Sequence, residues 1–160
     1  EQRRDPPQVE PLFVIFLIRC SVLPARKRSM REQTVTLTTG VDIVEIDRIE
    51  RAVARFGDHF LARIYTPAEM ARYANRIDEL ATRFAAKEAV SKALGVGMRH
   101  LSPHGIQWHE VEVLPDPRGK PILRLHGRAA ALARDRGYTE WSISLTHGRD
   151  VAIAFVVAMG

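Results

Sequence analysis

Apolar and polar positions along this chain change their spacing at several points, and those changes divide the sequence into strands and helices. β-Branched residues crowd positions 34–46 and predict a first strand. Gly40 interrupts that strand, which indicates a bulge or the close approach of another backbone. A helix is predicted next over residues 48–56, capped by Asp47 and ended by Gly57, with a short helical turn after it.

The clearest helix signals lie in the middle of the chain. Thr66, Pro67 and Glu69 have the spacing of a capping box with proline in the first turn, so a short helix is predicted to begin there. A longer helix is predicted from Asp78, as its cap, to Leu94, ahead of two glycines that end it.

The spacing of apolar positions changes again in the C-terminal half of the chain. Residues 106–114 and 122–125 predict two strands joined by a turn, residues 127–136 predict a helix, and residues 141–145 and 151–157 predict a final hairpin. The last strand is apolar on both faces, which predicts an internal position in the sheet or a subunit interface. This order of elements predicts an α+β fold in which a mainly antiparallel sheet packs against the long helix.

Residues 1–31 differ from the rest because proline and arginine surround one apolar run at residues 12–18. That run is too short to span a bilayer, and no small-residue cleavage site follows it, so neither a membrane segment nor a signal peptide is expected. An extra strand, a poorly ordered tail and translated sequence upstream of Met30 all stay open. We predict an N-terminal extension over residues 1–31 and one domain over residues 32–160.

Charge and cysteine content narrow the function classes. The formal net charge is +5, and most of it falls in the first thirty residues, so a nucleic-acid partner is not expected, whereas an anionic ligand or an acidic protein is. Cys20 is the only cysteine in the sequence, which excludes an intrachain disulfide and agrees with a cytoplasmic location. The fingerprints of P-loop, dinucleotide-binding and serine-hydrolase sites are absent from the sequence, and no zinc-ligand spacing occurs.

Asp42 is unusual in the first strand, because carboxylates are depleted in strands and a buried one needs a partner or a metal ion. Strand alternation puts Asp42 on the same face as Val44 and Glu45 on the other face. Taken alone, Asp42 favours the simpler interpretation of a strand-end acid that is exposed or salt-bridged.

The long helix carries charge among alanines. Glu88 and Lys92 lie four residues apart on one face, which is the spacing of an ordinary surface ion pair. It also suits half of a site in which Glu88 and Asp42 share a hard cation while basic side chains neutralise phosphates. The basic residues of this helix segment are Arg83, Lys87 and Lys92. His147, at the bend of the last hairpin, is either a surface residue or a phosphate donor.

Three segments match the patterns of one family. Residues 40–49 (Gly-Val-Asp-Ile-Val-Glu-Ile-Asp-Arg-Ile) follow its G-x-D-x-x-x-x-x-R-I opening, and residues 84–95 follow its F-x-x-K-E-A-x-x-K-A-[LF]-G signature in full. Residues 142–147 follow its C-terminal S-[IL]-[ST]-H hairpin. From about residue 37 onward the chain therefore resembles the holo-acyl-carrier-protein synthases, the short 4′-phosphopantetheinyl transferases. It departs from them at Thr38, often glycine in the family, and at Gly148, often an acidic or hydroxyl residue.

The resemblance implies an α+β protomer that assembles into a homotrimer with active sites between subunits. It implies Mg²⁺ as cofactor and coenzyme A and an acyl carrier protein as partners. The implied reaction moves 4′-phosphopantetheine from coenzyme A to a serine hydroxyl of the apo carrier protein and releases adenosine 3′,5′-bisphosphate. Such an enzyme supports fatty acid or polyketide biosynthesis, and the sequence does not decide between these pathways.

The resemblance also implies roles for individual residues. Asp42 and Glu88 would bind Mg²⁺ and, with Lys92 on the pyrophosphate, would form the catalytic set. The cations expected to contact coenzyme A are Arg83, Lys87, Lys92 and His147. Arg48 would face the acidic recognition helix of the carrier protein. The general base that accepts the serine proton stays open between a metal-bound water, a carboxylate and His147.

Two other functions remain possible from the residues alone. A non-catalytic α+β module could dock carrier proteins without turnover, although the presence of Asp42, Glu88 and Lys92 together argues against it. Another Mg²⁺-dependent nucleotide enzyme could use the same charges without coenzyme A.

Overall fold

A computed structural model of the protein describes residues 35–99 and 102–160. Its elements are β1 (Leu37–Glu45), α1 (Ile46–Ile64), α2 (Pro67–Tyr73), α3 (Ile77–Ala93), a 3₁₀ turn (Trp108–Glu110), β2 (Val111–Pro115), β3 (Pro121–Leu125), α4 (Gly127–Asp135), β4 (Glu140–His147) and β5 (Val151–Met159). The predicted extension over residues 1–31 lies outside the described residues. No helix in the described ranges is long and apolar enough to cross a bilayer.

The strands form two antiparallel sheets, which confirms the predicted α+β class. In the larger sheet β5 lies between β1 and β4, and in the smaller one β2 pairs with β3. The internal position predicted for the last strand is therefore correct. One face of β5 packs under α3 through a row of short, fully buried side chains: Ala152, Ala154, Val156 and Ala158.

Gly40 lies where β1 crosses α3, and the close backbone approach predicted there is confirmed. A Cβ atom at this position would lie 2.0 Å from the carbonyl oxygen of Ala89, a distance that no side chain can adopt. The absence of a side chain therefore lets the strand and the helix touch.

Helix α3 forms the centre of the core. Between Leu80 and Leu94 every residue is buried except Glu88, which is half-buried, and Lys92, which is exposed. Because the helix is enclosed on nearly all sides, its packing fixes the backbone from which these two side chains project.

Two predicted helix caps are wrong. Helix α1 begins at Ile46, and Asp47 lies in its first turn, where it pairs with Arg51 at 3.2 Å. The helix starts early because β1 turns directly into it, with the Ile46 N–H donating to the Asp150 carbonyl at 2.8 Å. Asp78 likewise lies inside the first turn of α3, which begins at Ile77.

Other boundaries agree better with the sequence. The capping box is confirmed, with the Thr66 hydroxyl accepting from the Glu69 N–H at 3.3 Å and Glu69 accepting from the Thr66 N–H at 2.9 Å. Gly57, with φ of 53°, separates two helical pieces of α1 as predicted. The predicted strand at 106–114 begins later, at Val111, because a 3₁₀ turn precedes it.

Candidate active site

Asp42 and Lys92 meet where β1 crosses the C-terminal half of α3. Asp42 points inward with Val44, as strand alternation predicts, and its side chain is 10% exposed. The Lys92 Nζ atom lies 2.7 Å from Asp42 Oδ1 and 3.0 Å from the Val41 carbonyl oxygen, while half of the lysine side chain stays open to solvent. Lys92 is thus a partner of Asp42 across the fold, and the simple surface pair with Glu88 does not form.

Glu88 completes a pair of carboxylates at this crossing. Burial raises the pKa of the Glu88 carboxyl, and the nearby Asp42 carboxylate raises it further, while Lys92 and Arg48 act in the opposite direction. Within the described residues no hydrogen bond or ion pair is formed by the Glu88 carboxylate. Two half-desolvated carboxylates that repel each other are stabilised by a cation between them.

The donor set at this crossing suits Mg²⁺. The described residues contain no group of three or more His, Cys, Asp or Glu side chains placed to hold a metal ion. Mg²⁺ keeps several waters and takes one or two carboxylates together with substrate phosphate oxygens, so a two-carboxylate site fits it. Burial also raises the pKa of the Asp42 carboxyl, and the Lys92 hydrogen bond offsets part of that rise.

Arg83 and His147 lie in a different place, an open pocket of about 370 Å³ beside the first turns of α3. Arg72 and Arg76 line the same pocket, and neither was picked out from the sequence. Asp42, Glu88 and Lys92 do not line it. His147 Nε2 lies 3.6 Å from Asp78 Oδ2, so the end of β4 is close to the first turn of α3. The predicted residues therefore fall into two groups within one protomer.

The Arg83 guanidinium is held by its own surroundings at the wall of this pocket. It donates to the Tyr73 hydroxyl at 2.7 Å, to the Thr82 hydroxyl at 2.9 Å and to the Glu79 carboxylate. Its Nε atom is buried and has no hydrogen-bond partner among the described residues. The basic spacing of Arg72 and Arg76 just before α3 is the sequence signal that could have indicated this cationic pocket.

Lys87 is placed differently from its predicted role. Its side chain is fully buried, and its ammonium donates to Glu69 Oε2 at 2.8 Å, to the Trp108 carbonyl at 3.1 Å and to the Val111 carbonyl. Burial lowers the pKa of the Lys87 ammonium, and the Glu69 carboxylate opposes that shift. Since all three donors have protein partners, this arrangement does not support the predicted contact between Lys87 and coenzyme A.

Arg48 and the two departures from the family pattern are also located. Arg48 is exposed on the first turns of α1, close enough to the carboxylate pair to act on the pKa of both. The Thr38 hydroxyl donates to the Ala93 carbonyl at 2.9 Å, so it occupies an acceptor at the end of α3 that helix geometry leaves free. The Gly148 N–H donates to the Val151 carbonyl at 2.8 Å within the last turn.

Comparison with known proteins identifies the family of this chain. The family model described as the 4′-phosphopantetheinyl transferase superfamily matches residues 38–156. A holo-[acyl-carrier-protein] synthase of Herpetosiphon aurantiacus is 51% identical over 126 residues, which cover 78% of this chain and 99% of that protein. A synthase of Koribacter versatilis is 47% identical, covering 76% of this chain and 96% of the relative.

Solved structures agree as well. Helicobacter pylori holo-[acyl-carrier-protein] synthase in complex with coenzyme A is 32% identical with a TM-score of 0.66, covering 75% of this chain and 98% of that one. The Neisseria meningitidis synthase is 34% identical with a TM-score of 0.65, covering 76% of this chain and 96% of that chain. The chain belongs to the 4′-phosphopantetheinyl transferase superfamily and, within it, to the holo-[acyl-carrier-protein] synthase family.

Proposed function

We propose that this protein transfers 4′-phosphopantetheine from coenzyme A to a serine hydroxyl of an apo acyl carrier protein. The observation that carries the proposal is the carboxylate pair of Asp42 and Glu88, with Lys92 beside it, at the only break in the buried surface of α3 between Leu80 and Leu94. The names of relatives with near-complete coverage agree with this activity.

In the proposed reaction the serine oxygen attacks the β-phosphorus of the pyrophosphate. The bond from that phosphorus to the bridging oxygen breaks, adenosine 3′,5′-bisphosphate leaves, and the serine proton passes to a base. Negative charge gathers on the pyrophosphate oxygens during this step, and positive groups aimed at them lower the barrier. The half-exposed Lys92 ammonium is one such group.

Asp42 and Glu88 would hold Mg²⁺, because both present oxygen ligands from a partly desolvated, mutually repelling pair. When bound, the ion supplies Lewis-acid stabilisation of phosphoryl oxygens. Arg83 and His147 would contact other phosphates of coenzyme A in the cationic pocket. Lys87 is left out of this set, since its ammonium is already satisfied inside the core.

The carrier protein is proposed to dock on α1. Arg48, Arg51 and Arg55 are all exposed along that helix, at spacings that put them on neighbouring turns. A row of guanidinium groups suits the acidic helix proposed for the partner, and it steers association electrostatically.

We also propose a homotrimer with active sites between subunits. The face of the larger sheet that α3 does not cover carries exposed apolar side chains on β1 and β5: Leu37, Val41, Ile43, Phe155 and Met159. A contiguous apolar face of this kind is typical of a subunit interface. Sedimentation equilibrium would measure the stoichiometry.

The decisive experiment incubates the protein with Mg²⁺, coenzyme A and an apo carrier protein and follows the mass of the carrier. A gain of one phosphopantetheine on its serine is expected. No gain, with a competent carrier and a known active synthase as control, would contradict the proposal. Binding of coenzyme A without transfer would favour a docking module, and no use of coenzyme A would favour another nucleotide enzyme.

Two finer points belong to the same proposal. Parallel assays with fatty acid and polyketide carriers would show whether the enzyme serves fatty acid or polyketide biosynthesis. The lack of a disulfide-forming cysteine pair agrees with a cytoplasmic location. Cell fractionation would test that location.

A further inference from the structure

Tyr73, the last residue of α2, lines the cationic pocket and contacts two of its arginines. The Arg83 Cζ atom lies 3.9 Å from the centre of the Tyr73 ring, and Arg76 Cζ lies 5.9 Å from the same centre. The Tyr73 hydroxyl accepts a hydrogen bond from Arg83 Nη2 at 2.7 Å. The tyrosine is almost fully buried, so its ring cannot move aside without disturbing the core.

The remaining contacts of Arg83 all involve its Nη1 atom. The Thr82 hydroxyl and the Glu79 carboxylate both accept a hydrogen bond from Arg83 Nη1. The Arg83 Nε atom is buried without a partner among the described residues. Glu79 also pairs with Arg76, at 2.6 Å, so that carboxylate is shared between two cations. Among the described residues, Tyr73 contacts Arg83 in two ways, with its ring close to Cζ and its hydroxyl bonded to Nη2. Cation–π contact and a charge-assisted hydrogen bond on one ring set the plane as well as the position of the group.

We infer that Tyr73 is a positioning residue for the anionic donor, acting through Arg83. The inference rests on the proposed function, in which Arg83 contacts a coenzyme A phosphate. A long arginine side chain gains affinity for a phosphate when its rotamer is fixed before the ligand arrives. The tyrosine hydroxyl accepts from Arg83 and its ring packs against the guanidinium, so Tyr73 holds Arg83 at the pocket wall.

The first test compares Tyr73→Phe with the unchanged protein by binding of coenzyme A in calorimetry and by steady-state transfer. Losing the hydroxyl is expected to weaken coenzyme A binding and raise KM about 3–10-fold, while kcat stays within about twofold. Tyr65→Phe is a matched control, because it removes another buried tyrosine hydroxyl, which donates to the Leu80 carbonyl at 3.0 Å, without touching Arg83. The control is expected to lose stability with KM unchanged.

The second test asks whether the effect passes through Arg83. In an Arg83→Met background, which keeps the apolar stem, Tyr73→Phe should have no further effect on coenzyme A binding. Circular dichroism checks that each variant is folded. A penalty of the same size in the Arg83→Met background, or an unchanged KM for Tyr73→Phe alone, would overturn the inference.

The outcomes separate this inference from the proposed function. Coenzyme A binding with coupled Tyr73 and Arg83 effects, but no transfer to a carrier, supports the positioning role and removes the proposed reaction. If the unchanged protein transfers phosphopantetheine but the Tyr73 and Arg83 effects are not coupled, the proposed function stands and the positioning role of Tyr73 is removed. No binding of coenzyme A at all contradicts both.

Discussion

Two lysines of α3 are five residues apart in the same signature, and the fold uses them in opposite ways. Lys87 and its partner Glu69 are both 0% exposed, and every donor of the ammonium has an acceptor. Lys92 is 51% exposed, and its partner Asp42 lies beside a second carboxylate, Glu88, that has no partner of its own among the described residues. A satisfied ion pair stabilises a structure, whereas an incompletely satisfied one can bind a ligand.

The largest expected effect comes from breaking the buried pair. Lys87→Met leaves the Glu69 carboxylate buried without its counter-charge, which is expected to lower the free energy of unfolding by about 3–5 kcal/mol. Denaturant titration measures the loss. A double variant, Lys87→Met with Glu69→Gln, neutralises the stranded charge and should recover part of it. If Lys87→Met instead loses transfer activity at unchanged stability, Lys87 belongs to the active site, and the two lysines do not differ in role.

The next effect concerns the exposed cluster. Glu88→Ala is expected to lower turnover at low millimolar Mg²⁺ by about a hundredfold or more, because an electrostatic group acting on the transition state is lost. The free energy of unfolding should change by less than about 1 kcal/mol, since Glu88 is half-buried and unpaired in the described structure. Glu45→Ala is the matched control, as Glu45 lies on the opposite face of β1. Turnover close to that of the unchanged protein would exclude Glu88 as a metal ligand.

The smallest effect is the response of stability to Mg²⁺ and pH. Mg²⁺ at ten times its Kd should add about 1.4 kcal/mol to the free energy of unfolding, and this gain should be absent in Glu88→Ala. The raised pKa of Glu88 means that protonation starts at a higher pH than for an ordinary glutamate, so the gain should weaken as the pH falls.

The same raised pKa sets the behaviour of the metal-free protein. The folded state holds the Glu88 proton more tightly than the unfolded chain, so the Glu88 contribution to the free energy of unfolding, measured as the difference from Glu88→Ala, should fall as the pH rises from 4.5 through the raised pKa. Thermal melts at several pH values, with and without Mg²⁺, measure both trends. A gain from Mg²⁺ that grows toward acid pH would contradict the assignment.

Local signals in the sequence were enough for much of the fold. The Thr66 and Glu69 capping box and the inward direction of Asp42 depend on spacings of a few residues, and the structure confirms each. The helix caps at Asp47 and Asp78 were wrong because the chain enters both helices earlier than the polar residue indicates. At α1 the reason is a contact with the remote Asp150 carbonyl, which no local pattern contains.

The candidate site was only partly predictable for the same reason. The Asp42 and Glu88 pair follows from the motifs, but the partner of Lys92 lies 50 residues away on β1. The partners of Lys87 are a carboxylate on α2 and two carbonyl groups near β2, so its burial could not be read from the helix alone. Tyr73 carried no chemical signal in the sequence, because its role depends on which arginine packs against its ring.

The contact at Gly40 fixes the distance between β1 and α3, and with it the spacing of the Asp42 and Glu88 carboxylates. Any side chain there would start 2.0 Å from the Ala89 carbonyl and would have to push β1 away from α3. Asp42 is two residues along that strand and Glu88 is next to Ala89 on the helix, so the push would widen the gap between the two carboxylates. Active sites hold their groups to within about 0.5 Å, which is less than the shift such a side chain would force. Only glycine therefore fits at position 40, because any other residue would move the neighbouring carboxylates out of their working positions.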